Sequence, residues 1–406
     1  MDVLLNSNAS SALNSVLKGV VSEKNPFQYR YALDLGGCSF SGISRTMQTL
    51  NASNTVAYSS AVDFQIPKAG LLRGLIVKVE ETFTGTAAGS SATAAAGTGM
   101  SIVERLELIS QGRVIHSQTR EALSCIVSSQ PIGSRENLSS MMNLGAYTTG
   151  TLGSGASAKF TTRIPALFSC FEALQNAYDT NFVGPLTLRV HMAADPFAGN
   201  TTTVTRKLDC TVTGEYIRES SEHQQRRLES DYGSGNLQKL MWNTEHQESE
   251  QQTIGTGGKS FEIKTNNYIG ELWVYVDQTS GSSLQGVEMA TIKLEANGQT
   301  ILEQDAQLLL QYQPSADGHP YGEACSGFET SGMGDAIKKR YRFSFGLSDD
   351  TRRAVGGASA RELSNFKVTV TPAAEKQNAK IHVVTKFYQI VSIESSNGKI
   401  TTSISS

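Results

Sequence analysis

The sequence predicts an all-β chain built as two tandem β-sandwiches, with a short helix at the N-terminus and a few short helices in loops. Three observations carry this. Short apolar segments alternating at period two run through most of the 406 residues, and sustained helical periodicity is scarce. The 37 glycines, with abundant Ser and Thr, punctuate these segments as turns. Above all, five segments recur in the same order in the two halves of the chain, the mark of a duplicated domain.

Taken in order, residues 1–40 form an N-terminal helical arm. Ala9, Ala12, Leu13, Val16, Leu17, Val20 and Val21 recur at the three-and-four spacing of one helical face. Ser7, Asn8 and Ser10 are N-cap candidates, and Asn25-Pro26 ends the helix because the residue before proline is pushed out of helical geometry. Residues 41–220 make the first sandwich, 221–258 an interdomain connector and 259–406 the second sandwich. Phe64–Val79 answers to Phe261–Val276, and both read as strand, turn, strand. Leu106–Ile115 matches Ile292–Ile301, with hairpin turns at Gln111-Gly112 and Asn297-Gly298. Phe160–Ile164 pairs with Tyr341–Phe345, Leu186–Val190 with Phe366–Val370, and Cys210–Tyr216 with Ile381–Phe387. The offset between partners shrinks from 197 to 171 residues because the first half has the longer loops. Thr84–Gly99, almost all Gly, Ala, Ser and Thr, reads as an exposed flexible loop, and Asn143–Ser157 is similar. Leu167–Tyr178 spaces Phe168, Phe171, Leu174 and Tyr178 for one face of a short helix. The stretch between the repeats, Ile217 to Gly258, is polar, with Glu219, Glu222, Arg226, Arg227 and Glu229 ahead of Gly233 and Gly235.

A net charge of -3 gives no general attraction to phosphate, so direct sequence-specific nucleic-acid binding is not expected. Cys38, Cys125, Cys170, Cys210 and Cys325 are odd in number and lack CxxC pairs, which predicts reduced, mostly buried thiols and no structural zinc site. Neither a signal peptide nor an 18-residue apolar span is read from the chain.

The duplicated pattern, carried by Phe64–Val79, Leu106–Ile115 and their second-half partners, resembles the double jelly-roll major capsid proteins of the tectivirus, corticovirus and adenovirus-like lineage. It covers about Ser41 to Ser392 and is a likeness of architecture, without a catalytic motif to match. The resemblance implies two eight-stranded jelly-roll sandwiches and a subunit that forms pseudo-hexagonal homotrimers. These tile an icosahedral virion capsid assembled inside the host cell. Implied partners are neighbouring capsid trimers, penton or vertex proteins, minor capsid proteins and an internal lipid membrane. The apolar stripe Leu13, Val16, Leu17, Val20 and Val21 is then an assembly arm, with packing under its own sandwich as the plain alternative.

Other chemistry is expected to be absent: no enzyme activity, no catalytic residues, no cofactor and no metal. Gly255-Thr-Gly-Gly-Lys-Ser260 ends like a phosphate-binding loop, but Thr253 stands where a glycine is needed and a strand follows. His116, His191, His223, His246, His319 and His382 offer no i, i+4 pair with a glutamate, so no zincin site is read. Gly-x-Ser-x-Gly does not occur. Glu104, Glu107 and Asp209 are the carboxylates to weigh for a glycosidase pair, and Asn8, Asn51, Asn137 and Asn200 begin incidental N-x-Ser/Thr triplets. The competing reading is a carbohydrate-binding or carbohydrate-active protein of two jelly rolls, which needs clustered aromatics around convergent carboxylates. Trp242 and Trp273 lie far apart in sequence. A virus fibre or vertex protein is the third reading.

Overall fold

The computed structural model describes residues 43–129, 132–172, 176–219, 221–232, 235–265, 267–278, 286–306, 309, 339–345 and 357–404. The arm residues Leu13, Val16, Leu17, Val20 and Val21 lie outside them.

The first sandwich contains β1 (Ile43–Asn51), β2 (Ala61–Ile66), β3 (Leu71–Gly85), β4 (Val103–Ser110), β5 (Arg113–Thr119), β6 (Ser157–Pro165), β7 (Leu186–Met192) and β8 (Val204–Glu219). They pair as two sheets in the orders β1-β8-β3-β6 and β2-β7-β4-β5. Alternation decides which side chains enter the core. Leu75, Val77, Val79 and Phe83 of β3 point inward and meet Phe64, Leu106, Leu108, Leu188 and Val190 from the facing sheet.

The second sandwich contains β9 (Leu237–Glu248), β10 (Lys259–Glu262), β11 (Tyr268–Gln278), β12 (Thr291–Ala296), β13 (Gln299–Asp305), β14 (Tyr341–Ser344), β15 (Lys367–Thr371) and β16 (Lys376–Ile393). Its sheets run β9-β16-β11-β14 and β10-β15-β12-β13, the first pattern shifted by eight strands. Leu272, Val274, Val276, Ile292, Leu294, Val368, Val370, Ile381 and Val383 fill its core. This strand order, twice over, is the jelly-roll arrangement. The matching hairpins also share their turn chemistry. Gln111 (φ 48°), Gly112 (80°), Asn297 (55°) and Gly298 (71°) all take the left-handed conformation that a two-residue hairpin of this twist requires.

Four segments depart from the sequence expectation. Residues 237–254, read as connector, form β9 and a short strand that both pair with β16. β9 has Leu237, Leu240, Met241 and Trp242 as its only large apolar residues, so its alternation does not show; its pairing and the covering of its outer face fix it. The link itself is helix α3 (Ser221–Tyr232), tied down by Arg227, whose buried guanidinium reaches Glu219 at 2.9 Å and also binds Asp179. Thr84–Gly99 is exposed at its tip, Thr86–Gly89, but is not a loop throughout. β3 continues to Gly85, and Ser91–Ala94 is the central strand of a small sheet between Thr201–Thr202 and Tyr147–Thr148. Ser90, Ala92 and Gly99 are buried, and a Cβ on Gly99 would stand 1.7 Å from the Met142 carbonyl oxygen. The small residues there permit close packing of backbone. Asn143–Ser157 supplies one strand of that sheet and buries Leu144 and Leu152. Finally, Leu167–Tyr178 holds a 3-10 turn at Ser169–Phe171, and Tyr178 is not helical but begins a two-residue strand paired with β3. The expected loop helices do occur as α1 (Arg120–Ser128) and α2 (Ile132–Met141). The Thr119 hydroxyl caps α1 by accepting the Ala122 N–H at 3.1 Å.

Candidate assembly surface

The two sandwiches join through the outer face of the β9-β16-β11-β14 sheet. Along its edge, β9 meets the outer face of β5. The Ser117 N–H donates to Asn243 Oδ1 (3.1 Å), the Thr244 hydroxyl donates to the Ser117 carbonyl (3.1 Å), and the Gln389 amide donates to the Ile115 carbonyl (3.0 Å). Helix α1 lies on the same face, where Ala122 and Cys125 pack with Trp273, Tyr275 and Val384. Trp242 Nε1–H donates to Glu172 (2.8 Å) and Trp273 Nε1–H to Ser129 (2.9 Å), so each indole buries its ring and satisfies its one donor across the joint. Beneath Trp242, the buried Glu271 carboxylate accepts from Arg342 (2.9 Å) and Lys386 (3.1 Å), with the Lys386 ammonium 4.7 Å from the indole centroid. Burial pushes the Glu271 carboxyl up, but the two cations outweigh it and hold it below the usual range. Such a satisfied joint fixes the two sandwiches relative to each other.

Each half of this joint has a counterpart elsewhere on the chain, and both counterparts are open. On the first sandwich β1 holds the place of β9. Met47 pairs with Glu215 as Thr244 pairs with Lys386, and Arg45 pairs with Ile217 as Trp242 pairs with Tyr388. Thr244 is 8% exposed and Met47 62%. On the second sandwich β13 holds the place of β5. Ile115, covered by the joint, is 1% exposed, whereas its partner Ile301 is 46% exposed and Glu303 stands where Ser117 binds β9. Met47 and Ile301 are thus two of the four large exposed apolar residues among those described, the others being Val114 and Leu240.

The residues weighed for other chemistry are not assembled into an enzyme site. Glu107 lies on β4, bound to His191 (2.9 Å) and Arg105 (3.1 Å); Asp209 lies on β8 of the other sheet, paired with Lys207 (2.8 Å). Glu104 is exposed beside Arg105 on the chain. Trp242 and Trp273 do come onto one sheet face, but it is the face covered by the first sandwich. The glycine-rich stretch turns at Gly258 (φ 81°) straight into β10, without a helix to receive phosphate. Cys125, Cys170 and Cys210 are buried; burial raises Cys170 well above its ordinary range and pushes Cys210 up to about 12. Cys38 and Cys325 lie outside the described residues. Among those described, no helix is long and apolar enough to cross a membrane.

His246 and His382 are brought together, which the sequence reading missed. Their ring nitrogens stand 3.0 Å apart on β9 and β16, with Glu248 beside them. The only sequence signal is His246-Gln-Glu248, whose i, i+2 spacing puts both residues on one strand face.

No family model matches the chain, and no curated protein is similar to it in sequence. Solved structures are similar in fold. A chain of the PBCV-1 virus capsid superposes with a TM-score of 0.68 at 13% identity, covering 90% of this chain and 97% of that one. The Faustovirus major capsid protein gives 0.61 at 10% identity, covering 86% and 90%. A chain of the Sputnik virophage gives 0.57 at 13% identity, covering 89% of each. The chain has the double jelly-roll fold that these proteins share.

Proposed function

We propose that the chain is a major capsid protein whose homotrimers, pseudo-hexagonal in outline, tile the icosahedral shell of a virion. The observation that carries this is the pair of open counterparts. A joint in which the β5 side of one sandwich meets the β9 side of the next is heterologous, and each chain offers one further β5-like side, β13, and one further β9-like side, β1. Repeating the joint between chains puts Met47 of one subunit against the Ile301 strand of its neighbour. A head-to-tail contact of this kind closes into a ring when its rotation divides the circle. Six sandwiches from three chains give the six-sided unit. The fold of the PBCV-1, Faustovirus and Sputnik capsid chains supports the same reading. The 1–40 arm, with Leu13, Val16, Leu17, Val20 and Val21, is assigned to contacts between trimers or with an internal membrane; vertex and minor capsid proteins are the remaining partners. No enzymatic step is assigned to the chain.

Light-scattering mass and negative-stain images of the purified protein test the proposal. Three-chain particles with a six-sided outline are expected, and Met47→Glu, which sets a charge into the joint without touching either core, is expected to yield folded monomers. A wild-type protein that stays monomeric at micromolar concentration, or Met47→Glu trimers indistinguishable from wild type, would overturn it.

A further inference from the structure

We infer that His246, Glu248 and His382 form a binding site for one divalent transition-metal ion of the zinc class, placed where it clamps the joint between the sandwiches. Glu248 and His382 face each other across β9 and β16, and His246 lies two residues along the same face of β9. His246 Nε2 is 3.0 Å from His382 Nδ1, which is 3.7 Å from Glu248 Oε2. Ligands about 2.0–2.2 Å from a tetrahedral zinc stand about 3.4 Å from one another, so the two separations at His382 need adjustments of only a few tenths of an ångström, and all three ligand atoms lie within 4.8 Å of one another, with the exposed Glu248 side chain free to swing in. The donors are two imidazoles and one carboxylate, the set zinc takes when a fourth position is left to water. Glu248, at the exposed rim, gives the ion its way in.

The shell around these donors makes the case more specific. A metal-bound histidine needs its second ring nitrogen to donate to an acceptor, which fixes the tautomer and ring orientation. Both rings face one. His382 Nε2 is 3.2 Å from Asp277 Oδ1, and His246 Nδ1 is 3.7 Å from Glu121 Oε2 at the start of α1, in the first sandwich. Tyr275 stacks on the His382 ring, 4.6 Å between centroids and 8° from parallel, holding its plane. The charge balance also points to a cation. Arg120 answers Glu121 (2.7 Å) and Lys380 answers Glu248 (2.9 Å), but among the described residues buried Asp277 has no lysine or arginine. Asp277 Oδ1 and His382 Nε2 are both buried without an aligned hydrogen bond despite their proximity. An ion on Nδ1 would make Nε2 the protonated nitrogen and turn this contact into a charge-assisted bond. The ligands come from the second sandwich and one outer partner from the first, so binding would stabilise the joint.

Chelator-treated full-length protein is titrated with Zn²⁺ and with Co²⁺. One ion per chain, tetrahedral cobalt absorption without thiolate charge-transfer bands, and a raised unfolding temperature are expected. His246→Gln and the rim variant Glu248→Gln should each weaken binding at least tenfold, and Glu121→Gln by 10- to 100-fold, the usual effect of losing an outer partner. Absence of stoichiometric binding, cobalt bands of thiolate type, or unchanged affinity in Glu248→Gln would each overturn the site and leave the two rings as a simple N–H···N pair. Glu248→Gln is judged on its own if His246→Gln fails to fold.

Discussion

On β9 the outer-face residues Trp242 and Thr244 are buried, while on β1, the strand at the same place in the first sandwich, Arg45 and Met47 stand in solvent. The polar groups beneath differ in the same sense. In the second sandwich Glu271 is enclosed between Arg342 and Lys386. In the first, Glu215 lies at the position of Lys386 and forms ion pairs with Arg45 (2.6 Å) and Arg73 (3.2 Å), whose side chains are 63% and 45% exposed. Exposed pairs of this kind contribute little, about 0–1 kcal/mol, whereas breaking an enclosed one by removing a partner costs about 3–5 kcal/mol. Two sandwiches of one topology therefore have different energetics because, among the described residues, only one of them has its outer face covered. In the proposed trimer a second copy covers the open face.

The largest expected effect compares Ile115 with Ile301. Ile115→Asp puts a carboxylate at a fully buried apolar position in the joint, at a cost of several kcal/mol, and is expected to abolish soluble folded protein. Ile301→Asp should leave the unfolding temperature of the isolated chain within a few degrees and convert trimers to monomers by light scattering. Equal damage from the two, read by thermal unfolding, would mean that β13 is covered by its own chain.

Gly99→Ala probes the close packing peculiar to the first sandwich. Since the new Cβ would meet the Met142 backbone, a loss of about 2–3 kcal/mol is expected, seen as a lower midpoint in chemical denaturation. An unchanged midpoint would return 84–99 to the status of a tolerant loop.

A smaller effect depends on pH. His116 on β5, where the second sandwich has Leu302 on β13, is fully buried, stacked on Phe168 and 2.9 Å from the Tyr178 hydroxyl. Burial pushes its pKa down to about 3 from an ordinary value of 6.5. Because the folded pKa is the lower one, the unfolded chain takes the proton first. This site therefore leaves stability unchanged above about pH 6.5 and erodes it as pH falls toward 3, by up to about 1.4 kcal/mol per pH unit. His116→Leu is expected to lose stability at pH 7 through the lost hydrogen bond but to show a shallower decline between pH 6.5 and 4.5. Parallel declines in the two proteins would show that His116 is not the group responsible.

The sequence by itself determined the all-β class, the duplication and most of the strands, because period-two burial and paired Asn-Gly or Gln-Gly turns are local facts written into consecutive residues. Matching Phe64–Val79 with Phe261–Val276 placed β2, β3, β10 and β11 without any tertiary information. What it could not show is where a segment is held by something distant. β9 looks like a polar connector because it meets β5 through the hydrogen bonds of Asn243 and Thr244, and polar side chains do not announce a covered face. Thr84–Gly99 looks like a loop because small residues signal mobility when unpacked and close approach when packed, and only the Met142 backbone decides between them. His246 and His382, 136 residues apart, become neighbours solely through the pairing of β9 with β16. The exposure of Met47 and Ile301 likewise belongs to the tertiary structure, since it is visible only against the covered strands that are their counterparts. Burial is a property of what lies opposite a side chain, and the chain's own order does not state it.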